Sequence, residues 1–138
     1  MDREILFRGL SNQGKGWLYG DVVRNVEGAV AIMPPYQMNM DNTCSQNEVN
    51  PDTIGQYTGL KDKNGRQIFD GDILEYIGKR KDNMSKVYHR KVVFYEGMFS
   101  LLSKELPVYT ALKDHCMEDG RSAWHVIGNI HDNPELMK

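Results

Sequence analysis

Long apolar runs are missing from this sequence. No stretch approaches the roughly 18 residues of a membrane-crossing helix. The opening Ile5-Leu6-Phe7 run stops at Arg8, short of the roughly 7–15 apolar residues of a secretion signal. A soluble, cytoplasmic chain is therefore expected. Cysteine is scarce: Cys44 and Cys116 only. Two isolated cysteines in a chain of ordinary composition read as free thiols, not as a disulfide framework. A dominant charge is also lacking. The formal net charge is −2, so no whole-chain field draws it to nucleic acid or anionic lipid. Helical periodicity is sparse too. Val108–Met117, with apolar residues at Val108, Ala111, Leu112 and Cys116, has the spacing of one short helix.

Motifs that carry chemistry are absent as well. The histidines His89, His115, His125 and His131 and the two cysteines do not form the close pairs that structural zinc requires. No Gly-x-Ser-x-Gly elbow exists, and His115 beside Cys116 is not a catalytic pair by adjacency. Gly9–Lys15 begins like a phosphate-binding loop, but Gly16 replaces the magnesium-holding hydroxyl and a strand follows where a helix N-terminus is needed. Asp62, Asp70 and Asp72 cluster around two turns. Aspartate belongs in turns because its carboxylate accepts from nearby backbone amides. No catalytic residue, metal or cofactor is expected, and the chain does not read as an enzyme.

What is present is a series of short strand-like runs punctuated by Gly, Asn, Asp and Pro. They cover Glu4–Arg8, Trp17–Val26, Ala29–Met33, Gln56–Leu60, Gln67–Phe69, Ile73–Ile77, Lys86–Tyr95, Met98–Leu102 and Trp124–Ile130. Asn64-Gly65 is a strong hairpin signal, because both turn residues tolerate positive φ. Glu27-Gly28 and Glu96-Gly97 mark further turns. Pro51 suits the first position of a short helical turn capped by Asn50, and Asn133–Leu136 makes a terminal turn. Residues 37–47 lack periodicity and read as a long loop. Such a series of strands predicts a mainly β chain with a small barrel or sandwich. With 138 residues, 40% of them hydrophobic and 26% charged, the chain can hold one ordinary domain or two small ones.

One segment departs from the even charge balance. Gly78–Lys91 carries +5, against −7 for the remainder. Its basic residues are Lys79, Arg80, Lys81, Lys86, Arg90 and Lys91, with Tyr88 among them and Tyr76 just before. Basic residues interleaved with aromatics can hold phosphates and stack bases. Lysine at a hairpin also discourages edge-to-edge strand pairing.

Several blocks resemble the YopX family of phage and prophage proteins. They are Arg3–Gly9, Gly16-Trp17-Leu18-Tyr19-Gly20, Thr53–Gly65 running into Ile68–Ile73, and Val126–Leu136. The resemblance implies a mainly β fold with a small N-terminal β (or α+β) part followed by a small SH3-like β-barrel. It implies a phage or prophage gene in a bacterium, and it implies no activity. The expected division is 1–50 and 51–138. The expected role is a non-catalytic interaction or accessory protein whose partner is a protein, either a second copy or a phage or host protein. The alternative is a nucleic-acid-binding barrel using Lys79, Arg80, Lys81, Lys86, Tyr88, Arg90 and Lys91.

Overall fold

A computed structural model of the chain describes residues 3–34, 46–79 and 85–138. Most of the expected loop at 37–47 lies outside them. The strands are β1 (Phe7–Leu10), β2 (Trp17–Arg24), β3 (Val30–Met33), β4 (Gly55–Lys61), β5 (Gln67–Phe69), β6 (Asp72–Lys79), β7 (Ser85–Tyr95), β8 (Met98–Ser103), β9 (Tyr109–Ala111) and β10 (His125–Asn129). The fold is mainly β. Two antiparallel sheets have the orders β3-β2-β1-β4-β5 and β10-β6-β7-β8-β9. The chain divides into two compact units, Met1–Tyr57 and Thr58–Lys138, with the division inside β4.

In the first unit, Val30, Ile32 and Val49 form the core, with Phe7, Leu18, Val22 and Ile54 against it. Gly9 is needed for this packing. A Cβ there would lie 2.9 Å from the Val49 side chain, closer than packed carbons approach. Asn25 closes the β2–β3 turn by accepting from the amides of Glu27 and Ala29. Pro51–Thr53 is a 3-10 helix whose cap, Asn50, accepts from the Asp52 amide at 3.0 Å.

In the second unit, Ile68, Leu74, Val92, Leu101, Leu112, Trp124 and Val126 form the core. The Asn64-Gly65 hairpin joins β4 to β5, with Gly65 at φ 84°. Glu96 and Gly97 both take positive φ, at 48° and 83°, as a two-residue hairpin between Tyr95 and Met98 requires. Two expectations are corrected. The spacing at Val108–Met117 does not make an α-helix. Tyr109–Ala111 pairs with β8, which uses its backbone groups in the sheet, and only Leu112–His115 coils, as one 3-10 turn. The sheets are also open: among the described residues no pairing closes either into a barrel.

Candidate binding groove

β6 and β7 pair without a register break. Leu74 lies opposite Arg90, Tyr76 opposite Tyr88 and Gly78 opposite Lys86. Side chains alternate across a strand, so Leu74, Tyr76, Lys86, Tyr88, Arg90 and Val92 share one face. Leu74 and Val92, at one end of it, are fully buried. Toward Gly78 and Lys86 the same face leaves the core, and Tyr76 is 40% exposed. The result is a row of rings across three neighbouring segments. Trp124 marks the core edge, Tyr76 stands 5.4 Å from it and Tyr88 lies 6.3 Å beyond Tyr76. Gly78 fits this row because a Cβ there would stand 3.3 Å from the Tyr88 ring and 3.5 Å from the Tyr76 ring.

Cations lie over two of the rings. The Arg90 guanidinium sits 5.5 Å from the Trp124 ring centroid, and the Lys86 ammonium 5.0 Å from that of Tyr88. Both distances fall within reach of cation–π attraction. Arg90 also donates to Thr110 Oγ1 at 3.5 Å, and Thr110 Oγ1 lies 2.9 Å from His115 Nε2. Burial holds His115 below the ordinary histidine value, and Arg90 adds to this against an opposing pull from Asp114. A neutral His115 accepts the Thr110 hydroxyl at Nε2 and keeps its own proton on Nδ1, a tautomer assigned from this network. Tyr76, Tyr88, Arg90, His115, Ala123 and Trp124 line a groove of about 480 Å³, within the size range of ligand sites. None of these lining residues is acidic. Flat rings beside cations can stack planar groups and hold anions. The lining contains neither a carboxylate pair nor a Ser or Cys nucleophile.

The other face of the hairpin is arranged differently. It carries Glu75, Ile77, Lys79, Val87, His89 and Lys91. Glu75 meets His89 Nε2 at 2.9 Å and His125 Nε2 at 3.3 Å. His89 Nδ1 lies 3.3 Å from the Leu136 carbonyl. The expected basic segment is thus divided. Lys86, Tyr88 and Arg90 meet at the groove, while Lys79 and Lys91 lie on the opposite face. Arg80 and Lys81 fall outside the described residues.

Two of the turn aspartates serve the backbone. Asp62, 1% exposed, accepts from the amides of Asn64, Arg66 and Val126 at 2.8–2.9 Å, tying the β4–β5 hairpin to β10. Asp72 accepts from the Phe69 amide at 2.8 Å. Among the described residues, no group of three or more His, Cys, Asp or Glu is placed to hold a metal. Burial, then Asp114 and Asp119, push the Cys116 thiol up, which disfavours the reactive thiolate. Sequence reading missed Trp124 and His115 as groove-lining residues and Thr110 as the neighbour of Arg90 and His115. They are far from Tyr88 along the chain, and no local signal joins them.

The comparisons agree with this architecture. The family described as YopX protein matches residues 6–138. The chain belongs to the YopX family. A solved structure similar to this YopX-family chain is that of protein EF1440 from Enterococcus faecalis. It is 28% identical, with a TM-score of 0.61, and the match covers 99% of this chain and 100% of that one. None of the curated proteins matches. YopX membership assigns no chemistry to any residue, so a functional reading rests on the groove.

Proposed function

We propose that this YopX-family chain is a non-catalytic interaction protein, encoded by a phage or prophage and acting in the cytoplasm of a bacterial host. Its recognition surface is the groove of the second unit, and its partner there is either a protein (a second copy, or a phage or host protein) or a nucleic acid. The observation that carries the reading is the row Trp124, Tyr76, Tyr88 with Arg90 and Lys86 along it. Aromatic and arginine side chains are enriched where proteins bind. We read the second unit as an SH3-like module. The family resemblance implies such a module, and SH3 domains take extended ligands in aromatic-lined grooves.

The nucleic-acid alternative engages the same groove through Lys86, Tyr88 and Arg90. The two readings differ in what occupies it. The test is NMR of isotope-labelled protein against a random peptide pool and a random oligonucleotide pool. Shifts centred on Tyr76, Tyr88 and Trp124 support a groove-binding protein. Shifts confined elsewhere, or chemical turnover of an added ligand, sink it.

A further inference from the structure

We infer that the occupant of this groove is a single-stranded nucleic acid, its bases stacked on Tyr76 and Tyr88 and its phosphates held by Lys86 and Arg90. The inference rests on the groove being the binding surface and adds what binds there. Ring spacing is the first argument. The Tyr76 and Tyr88 centroids are 6.3 Å apart, nearly twice the rise of about 3.4 Å between stacked duplex bases. A strand with one base on each ring is therefore extended and unstacked. A single strand reaches that state readily, whereas a duplex hides its base faces.

Charge is the second argument. Each end of the row carries a cation, Lys86 by Tyr88 and Arg90 by Trp124, and among the described residues none that lines the groove is acidic. A ligand that repeats flat rings and anions in alternation satisfies both features. A proline-rich peptide uses the rings without needing the cations, and an acidic peptide uses the cations without the rings. The third argument is Thr110, whose hydroxyl stands 3.5 Å from an Arg90 nitrogen, a weak contact that favours one placement of the guanidinium. Stacking is tolerant of base identity, so weak sequence preference is expected.

The experiment is fluorescence anisotropy at low salt with labelled oligo(dT), oligo(rU) and a matched duplex, each about a dozen nucleotides long. Both single strands should bind more tightly than the duplex. Two neutralised phosphates give a log–log salt slope of about −1.4. Tyr76→Ala and Lys86→Glu should each weaken binding about ten-fold. Lys79→Glu, the same charge change on the opposite face, should change it less than about three-fold. Lys86 and Lys79 are both exposed, so these two variants keep the fold, which circular dichroism checks. No single-strand binding, equal binding to duplex, or equal damage from Lys79→Glu and Lys86→Glu would overturn the inference. Peptides seated in the groove without oligonucleotide binding would overturn it and leave the groove as the binding surface. If neither ligand reaches the groove, both readings fall.

Discussion

On one face of the β6–β7 hairpin, Lys86 and Arg90 lie along a row of aromatic rings; on the other, His89 and His125 lie against Glu75. The two faces interleave residue by residue along the same strands. On the groove face the charges have rings and a hydroxyl as neighbours and no carboxylate among the lining residues. On the opposite face the histidines have a carboxylate, and His89 also reaches the C-terminal turn at Leu136. A +5 segment in a chain is therefore not a +5 surface. Strand alternation divides it, and the neighbours on each side decide whether a charge is available to a ligand.

The largest effect separates the two ends of the groove face. Leu74→Ala removes a fully buried side chain and should cost about 2–5 kcal/mol in guanidinium unfolding. Tyr76→Ala, on the same face and 40% exposed, should cost about 1 kcal/mol or less. Equal costs would make Tyr76 part of the core and remove the groove as a free surface.

Glu75→Gln probes the opposite face. It weakens charge-assisted contacts to His89 and His125 that are part-exposed, so about 1 kcal/mol is expected. Hydrogen exchange in the Pro134–Met137 turn should quicken as His89 loses its anchor. Unchanged exchange there would mean that His89 does not hold the C-terminus.

Acid probes His115 on the groove face. By NMR, His115 should titrate below 6.5, and Arg90→Gln should move it upward, since Arg90 helps to lower it. Well above 6.5 the folded and unfolded chains both hold His115 neutral. As pH falls past that value the unfolded chain takes up the proton first, so stability declines until the folded His115 also titrates. His115→Gln should flatten this decline. A slope unchanged by the substitution would show that His115 is not responsible.

The smallest effect concerns the lysines themselves. Lys79→Glu and Lys86→Glu should each alter stability by about 0.5 kcal/mol or less, as is usual for exposed positions. A larger loss from Lys79→Glu in the unfolding midpoint would mean that the opposite face relies on its charge for folding.

Local features were legible from the chain alone. Gly65 and Gly97 take the positive φ that their turns need, Glu96 takes it without a glycine's freedom, and Asn50 caps Pro51–Thr53. Asp62, read as a turn residue, does accept from turn amides, yet its bond to Val126 was invisible because that partner is distant in sequence. Val108–Met117 misled because four apolar residues at helical spacing also suit a short edge strand followed by one 3-10 turn. A small closed barrel was expected where an open sheet stands, since strand count and turn spacing do not state which edges pair.

For this protein the sequence by itself determined the YopX family, the mainly β class and most strands and turns, because these depend on local φ preferences, alternation and ordered blocks of residues. It also placed Lys86, Tyr88 and Arg90 two residues apart, which puts them on one face of any unbroken strand. Only the tertiary structure decided that this face meets Tyr76, Trp124, Thr110 and His115, because those contacts depend on the β6–β7 register and on the packing of three segments separated along the chain.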